Sequence, residues 1–261
     1  MTSWSRAWWA TVVALWLVVA VAPRTVDAQR GGGRGRPLQY EPNVPYDGRL
    51  TWVRIRYGGG DLSGSMFRGA PPWTHDYPRG ERHFMKIISE LSTTRTRTQV
   101  SNILALDDPQ LGKFPIALMA EPGYWRPTDS EVVGLRNYLL KGGFLIFDDF
   151  TPRDWLNLTA QMTKVFPKLR PVQMTASHPI FDAFYRITSL NYQHPYYGGV
   201  SSWYGWFEDN DPSKRLLAIA DYNNDISEYW EFSDTGMFPI DLSNDAYKIG
   251  VNYVIYALTR R

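Results

Sequence analysis

Two adjacent carboxylates, Asp148 and Asp149, follow an apolar run and are well placed to take part in chemistry. The run from Gly142 to Phe147 is typical of a Gly-Gly turn followed by a short buried strand. In open α/β sheets, ligands bind in the crevice outside the carboxyl ends of the strands. Paired carboxylates at such a position can bind a divalent cation through oxygen or activate a water molecule.

The two carboxylates are not expected to act alike. Because consecutive strand residues point to opposite faces, we expect at most one of Asp148 and Asp149 to face the crevice directly. An alternative is that one of them caps the turn that follows the strand. The pair therefore marks a position for chemistry without naming a reaction.

The segment from Trp73 to His83 holds two histidines, two carboxylates and two arginines at the start of a predicted helix. Such a density of titratable groups at a helix N-terminus suits anion capture, acid–base chemistry or a partner surface. His75, Asp76 and Arg79 are therefore candidate site residues. The alternative is that they form a well-hydrogen-bonded helix cap.

Two later segments complete the candidate pocket. Residues 191–198 combine His194 with neighbouring aromatic side chains, as ligand sites often do. Asn224 and Asp225 follow the predicted strand 215–221, so they also fall at a carboxyl edge. Their side chains suit the orientation of a polar ligand, and equally the formation of an Asx turn.

Several classes of function are disfavoured by what the sequence lacks. It contains no Gly-x-Ser-x-Gly elbow, no Walker loop, no His-Glu-x-x-His motif and no dinucleotide-binding glycine fingerprint. We therefore predict no nicotinamide or flavin cofactor, and no cofactor at all unless the carboxylates bind a divalent metal. A formal net charge of +2 gives no reason to expect nucleic acid as a partner. The absence of cysteine excludes a thiolate metal site and a cysteine nucleophile.

Apolar periodicity predicts the elements that position these residues. Strands are predicted over 50–57, 94–98, 114–120, 144–149 and 215–221, and helices over 79–91, 128–141, 154–166 and 243–260. The clearest helix start is the capping box formed by Thr128 and Glu131. Alternation of strands and helices predicts an α/β domain with a mainly parallel, layered sheet.

The N-terminal part of the chain reads as an export signal followed by a linker. In residues 1–28, Arg6 precedes the apolar run 7–22 and a small-residue cleavage site. The alternative is an uncleaved membrane anchor, but the run is shorter than the roughly 20 residues of a membrane span, so cleavage is expected. Residues 29–47 predict a flexible Gly/Arg/Pro linker and residues 48–261 a single domain. The protein is therefore expected to be periplasmic or secreted.

Five segments carry a family resemblance: residues 68–78, 142–150, 178–181, 222–225 and 252–259. Together they resemble a bacterial family catalogued as domain of unknown function 4159, over residues 48–261. The resemblance implies a fold similar to class I glutamine amidotransferases, which is a flavodoxin-like three-layer sandwich. It implies no reaction.

The chain departs from amidotransferases proper in its catalytic residues. Their nucleophilic cysteine has no counterpart, and Tyr196 stands where the glutamate of their His-Pro-Glu segment would lie after His194 and Pro195. Amidotransferase chemistry is therefore not expected. Relatives of the family are often linked to membrane proteins of the cell envelope, with von Willebrand-type and AAA-type partners, which implies an envelope protein partner.

Two hypotheses for the function follow. The first is a non-catalytic module of the cell envelope that binds a ligand, such as a glycan, or a protein partner on an amidotransferase-like scaffold. The second is a hydrolase of glycans or another envelope polymer. In the second, Asp148 or Asp149 would be the base or metal ligand, His75 or His194 the acid, and Arg79 an anion holder.

Overall fold

The computed structural model describes residues 40–58 and 70–259. Seven strands are present in this part of the chain: β1 Val53–Ile55, β2 Asn102–Leu104, β3 Ile116–Ala120, β4 Phe144–Asp148, β5 Val172–Gln173, β6 Ser202–Phe207 and β7 Leu216–Tyr222. The α-helices are α1 Arg79–Leu91, α2 Asp129–Leu140, α3 Trp155–Val165, α4 Ile226–Glu231 and α5 Ile240–Thr259.

The strands form one sheet in the order β2-β1-β3-β4-β7-β6-β5. The five strands from β2 to β7 in that order pair in parallel, whereas β6 and β5 add an antiparallel edge. Strand order reverses between β1 and β3, and such a switch point opens a crevice at the carboxyl ends of the strands. The prediction of an α/β fold with a mainly parallel sheet is confirmed.

Helices cover both faces of this sheet. On one face α1, α4 and α5 pack on the strand side chains of Leu118 and Ile146 and on Trp52, which directly precedes β1. On the other face α2 and α3 pack on side chains that include Met119 and Phe147. Parallel strands are buried on both faces in such three-layer folds, and this explains why β3 and β4 are continuous apolar runs.

The capping box of α2 forms as predicted. The Thr128 hydroxyl accepts a hydrogen bond from the Glu131 amide at 3.2 Å, and the Glu131 carboxylate accepts one from the Thr128 amide at 2.8 Å. The helix ends in a turn through Gly142, which has a φ of 106°; glycine adopts such positive values at little energetic cost. This turn leads directly into β4 and fixes where its acidic end lies.

One predicted strand is wrong, and others were not anticipated. Residues 94–98 form only an isolated bridge between Leu50 and Thr96. The place beside β1 belongs to β2, in parallel register with Val53 opposite Asn102. Residues 94–98 alternate Thr and Arg and so have no apolar face that could select a partner strand. Strands β5 and β6 and helix α4 lie in segments for which the sequence predicted no element.

Residues 40–47, which the sequence predicts as linker, make specific contacts with the sheet edge. Asn43 exchanges hydrogen bonds with the backbone of Ile103 at 2.7 and 2.8 Å, and Val44 exchanges them with the side chain of Asn102 at 2.8 and 2.9 Å. These bonds cover the outer edge of β2. The predicted signal peptide and residues 29–39 and 59–69 lie outside the described residues.

Within the described residues, no helix is long and apolar enough to cross a membrane.

A buried ion pair joins β1 to α1. Arg54 and Glu81 are almost fully buried, and the Arg54 Nε lies 2.5 Å from the Glu81 carboxylate. The Arg54 guanidinium also donates to the carbonyl oxygens of Trp73 and His75, at 3.3 and 2.8 Å. Arg54 therefore fixes the segment that carries His75.

Replacing Gly134 with alanine is expected to lower the free energy of unfolding by about 1–3 kcal/mol, the range for overpacking. A Cβ at this position of α2 would lie 2.2 Å from the carbonyl oxygen of Leu106 and 2.8 Å from the Cα of Asp107. Backbone atoms cannot move aside as a flexible side chain can. Urea unfolding measures the change.

The matched control is Gly112→Ala, because a Cβ there meets nothing within 4 Å. Equal stabilities for the two variants would contradict the close approach of α2 to residues 106–107.

Candidate functional site

Polar residues from four connections meet at the carboxyl edge of the sheet. His75 and Asp76 lie between β1 and α1, Glu121 directly follows β3, Asp149 follows β4, and Asp225 follows β7. Strand pairing sets their relative height, because Ala120 and Asp148 are register partners in β3 and β4 and the Glu121 amide donates to the Asp148 carbonyl at 3.2 Å. The topology therefore brings distant segments of the chain to one place.

Asp148 acts as a helix cap. Its fully buried carboxylate accepts hydrogen bonds from the amide of Ile226 at 2.9 Å, and from the amide and hydroxyl of Ser227 at 2.8 Å each. Burial raises the pKa of Asp148 to about 6, against the lowering effect of these bonds. The capping interpretation thus applies to Asp148, although the capped element is the N-terminus of α4 and not the turn after β4.

Asp149 turns toward the crevice and pairs with a histidine. One carboxylate oxygen lies 2.5 Å from His75 Nδ1, and the other accepts a hydrogen bond from the Tyr197 hydroxyl at 2.5 Å. Burial acts to raise the pKa of Asp149, but the hydrogen bonds from His75 and Tyr197 and the charge of His75 hold it below its usual value. Asp149 is therefore an ionised partner of His75.

The backbone at this edge is strained at several carboxylates. Asp76, Glu121 and Asp149 have φ values of 62°, 49° and 58°, which lie in the left-handed region that favours glycine. Strain of about 1–3 kcal/mol per residue persists only where the surrounding structure enforces it, and it concentrates at functional sites. The edge is thus built to hold these side chains in set positions.

His75 carries a positive charge in this setting. Its Nδ1 lies 3.8 Å from the Asp76 carboxylate as well as 2.5 Å from that of Asp149. Burial acts to lower the pKa of His75, but the charges of Asp76 and Asp149 raise it to about 11. An imidazole tuned for acid–base work at neutral pH would have a pKa near 7. The high pKa of His75 instead reports that the surrounding carboxylates attract positive charge.

Two buried carboxylates of the site lack hydrogen-bond partners. The Asp76 side chain is inaccessible to solvent, and neither of its oxygens has a partner among the described residues. In Asp225, one oxygen accepts from the Glu228 amide at 3.0 Å, while the other has no partner in the same part of the chain. Burial raises the pKa of both groups.

Potential metal ligands fall into two groups around His75. In one group, atoms of His75, Asp76, Asp225 and Glu228 all lie within 4.8 Å of one another; in the other, His75 stands with Glu121 and Asp149. The first group contains the oxygens of Asp76 and Asp225 that have no hydrogen-bond partner among the described residues.

The remaining candidate residues differ in their relation to this cluster. His194 is buried, and its ring lies 4.4 Å from that of Tyr197, which connects it to Asp149. Burial lowers the pKa of His194 to about 4, so the ring is neutral. Arg79 does not join the carboxylate cluster: it pairs with Asp234 and lies over the Phe232 ring.

Asn224 plays a local structural part. Its side-chain oxygen accepts a hydrogen bond from the Asp225 amide at 3.0 Å, and its carbonyl accepts one from Phe150 at 3.3 Å. These bonds connect the segments that follow β4 and β7 and place Asp225. The structure therefore brings His75, Asp76, Asp149 and Asp225 together, supported by Asp148, His194 and Asn224.

Sequence reasoning did not find Glu121, Glu228 or Tyr197. Glu121 directly follows the predicted strand 114–120, so the rule that pointed to Asp148 also points to it. Glu228 stands three residues after Asp225, in the spacing of a helix cap. Tyr197 reaches Asp149 only through the fold, and nothing in its sequence surroundings indicates the contact.

Replacing Tyr197 with phenylalanine is expected to lower the free energy of unfolding by about 1.5–3 kcal/mol, the range for a hydrogen bond to a charged group. The change removes the bond to Asp149 and leaves the ring contact with His194. Urea unfolding measures the effect, and Tyr196→Phe is the matched control because that side chain is mostly exposed. Equal effects in the two variants would contradict a structural bond at Tyr197.

Comparison with known proteins assigns the chain to a family. No curated protein matches this sequence. The sequence pattern of the family described as "Domain of unknown function (DUF4159)" matches residues 52–258. The match begins just before β1 and ends within the last turn of α5, so it includes every segment that contributes to the site. The chain belongs to this family of domains of unknown function.

Proposed function

We propose that the domain binds a positively charged ligand at the carboxyl edge of its sheet and does not transform it. The observation that carries this proposal is the buried carboxylate of Asp76, neither of whose oxygens has a hydrogen-bond partner among the described residues. A buried polar atom without a partner costs about 1–3 kcal/mol. A cation bound beside Asp76 would supply the missing interaction.

The charge balance around Asp76 supports the same proposal. Asp149, Asp225, Glu121 and Glu228 lie at this edge and His75 is their cationic neighbour. The buried guanidinium of Arg54 nearby is already paired with Glu81. An edge with an excess of one charge sign attracts ligands of the opposite sign, and low-dielectric surroundings strengthen the effect.

The proposal includes an amidotransferase-like scaffold and a place in the cell envelope. Support for the scaffold comes from the doubly wound order of the parallel strands and from the position of the cluster at their carboxyl ends. The absence of cysteine fits a scaffold that binds without the amidotransferase nucleophile. Support for export comes from residues 1–28. A lysine-rich segment of an envelope protein or an amino sugar of an envelope glycan has the required charge.

A thermal-unfolding screen of the full chain tests the proposal. The probes are MnCl₂, ZnCl₂, CaCl₂, spermidine and glucosamine, with sodium phosphate as the anionic comparison at matched ionic strength. We expect at least one cation to raise the melting temperature in a concentration-dependent way. Asp76→Asn should lose that response, whereas Asp182→Asn, which removes an exposed carboxylate, should keep it. The absence of any cation response, or an unchanged response in Asp76→Asn, would overturn the proposal.

Hydrolysis is the second candidate, because His75, Asp149 and Tyr197 are linked by hydrogen bonds at one edge. A histidine–carboxylate pair is a common element of hydrolytic sites. Release of reducing ends from peptidoglycan fragments measures this activity directly. We expect none above the rate of Asp149→Asn. A rate that is lost in Asp149→Asn would favour hydrolysis over simple binding.

A further inference from the structure

We infer that the positively charged ligand is a divalent transition-metal ion held by His75, Asp76, Asp225 and Glu228. The inference rests on the proposed function, because it names the chemical class of the ligand at the same site. It draws on three separate features: the spacing of the four side chains, the unsatisfied oxygens among them and the contact that orients the histidine.

The spacing of the four side chains suits one shared ion. Each offers one ligand atom, and these atoms lie within 4.8 Å of one another. Ligand atoms at about 2.0–2.2 Å from one ion stand no more than about 4.4 Å apart, so only a slight contraction is needed. His75 and Asp76 come from the β1–α1 connection, whereas Asp225 and Glu228 come from the N-cap and first turn of α4, so the ion would join these two segments.

The unsatisfied oxygens of Asp76 and Asp225 point to a ligand independently of the spacing. Asp76 has two such oxygens and Asp225 has one, and both side chains are buried. Buried carboxylates are otherwise paired with cations, supplied with hydrogen-bond donors or bound to metals. None of these three atoms accepts a hydrogen bond of normal length from the described residues, and a metal ion can bind to both side chains at once.

The contact between His75 and Asp149 resembles the outer support of a metal-binding histidine. Such a histidine almost always gives its second ring N–H to a carboxylate, a backbone carbonyl or water, which fixes the ring orientation. Asp149 lies 2.5 Å from His75 Nδ1 and is itself held by Tyr197. The Arg54 guanidinium donates a hydrogen bond to the backbone carbonyl of His75 and fixes its position. His75 would bind the ion through its other ring nitrogen, where the metal would replace the proton that gives the metal-free ring its charge, and Asp149 would be a positioning residue for this ligand.

The donor set narrows the choice of metal. Three carboxylates would suit Mg²⁺, Ca²⁺ or Mn²⁺, while an imidazole suits Zn²⁺, Fe²⁺ and their neighbours. One nitrogen and three oxygen donors together favour Mn²⁺ or Zn²⁺ over Mg²⁺ and Ca²⁺. Soft copper(I) and thiolate-bound metals are disfavoured because the chain has no cysteine.

Calorimetric titration of the EDTA-treated full chain with MnCl₂ and with ZnCl₂ tests the inference. We expect one ion per chain and tighter binding than with MgCl₂ or CaCl₂. Asp76→Asn and Asp225→Asn should weaken binding at least tenfold, and Asp149→Asn should weaken it by about 10–100-fold, the usual effect of removing such a partner. Asp182→Asn should bind as the parent does.

The variants are chosen so that a loss of metal binding can be distinguished from a loss of the fold. Asparagine at 225 retains the oxygen that accepts from the Glu228 amide, so the N-cap of α4 is preserved. Circular dichroism of each variant checks that it is folded. Electron spin-echo spectroscopy of the Mn²⁺ complex should show nitrogen coupling from the imidazole, which His75→Gln should abolish.

The outcomes separate this inference from the proposed function. If spermidine or glucosamine stabilises the chain in an Asp76-dependent way while Mn²⁺ and Zn²⁺ do not bind, the metal assignment is overturned and cation binding stands. If no cation binds, both are overturned. Metal binding that is unchanged in Asp76→Asn and His75→Gln would overturn the assignment of these ligands.

Discussion

Replacing Arg54 with methionine is expected to lower the free energy of unfolding by about 3–5 kcal/mol, the effect of breaking a buried ion pair from one side. The change leaves the Glu81 carboxylate buried without its cation. It also removes the donors to the carbonyl oxygens of Trp73 and His75. Urea denaturation followed by circular dichroism measures the loss.

Two further variants identify the cause of that loss. Arg82→Met removes a half-exposed partner of Glu41 and should cost less than about 1 kcal/mol, as surface pairs do. The double variant Arg54→Met/Glu81→Met should recover part of the loss, because no buried charge is left unpaired. A double variant that is no more stable than Arg54→Met would contradict this account of the pair.

Replacing Asp148 with alanine is expected to lower the free energy of unfolding by roughly 3 kcal/mol or more, because each buried donor left unsatisfied costs about 1–3 kcal/mol. The carboxylate accepts from two amides and one hydroxyl at the start of α4, and it is inaccessible to solvent. Hydrogen exchange should show that the amides of Ile226 and Ser227 lose protection first.

Asp154→Ala is the matched control for Asp148. Asp154 precedes α3 and accepts hydrogen bonds from the amide and hydroxyl of Thr151, but it is only half-buried. Its loss should cost about 1 kcal/mol, the ordinary net effect of removing hydrogen bonds of this kind. If Asp148→Ala cost no more than this control, Asp148 would not be a buried cap, and its place at the carboxyl edge of the sheet would need another explanation.

The elements that the sequence predicted correctly are those whose signals are local. The capping box of Thr128 and Glu131, the turn at Gly142 and the apolar run before Asp148 lie within about 20 consecutive residues, which is the length over which propensity and capping operate. Position at a strand end then placed Asp148 and Asp149 at the carboxyl edge without knowledge of any contact.

The parts that were not predicted depend on partners far away in the sequence. Residues 94–98 alternate like a strand, yet the strand beside β1 is β2. Which segment pairs with β1 depends on packing across the whole sheet and not on the local pattern. The antiparallel edge formed by β6 owes its place to β7, a pairing that no local pattern specifies.

The different uses of Asp148 and Asp149 are also a result of the tertiary structure. Both follow the same strand, but the left-handed φ of Asp149 turns its side chain toward His75 while Asp148 continues the strand and meets α4. Sequence alternation predicted that they would differ. It could not predict that the N-terminus of α4, which is 78 residues away for the Ile226 contact, would take one of them.

The stability of Asp76→Asn with and without MnCl₂ tests the central claim most directly. Without metal, the variant should be more stable than the parent by about 2–4 °C for each kcal/mol regained, because a neutral amide relieves a buried charge that has no hydrogen-bond partner. With saturating MnCl₂ the order should reverse, since only the parent gains binding energy. A variant that is less stable than the parent without metal, and gains as much from MnCl₂, would contradict a cation site at Asp76.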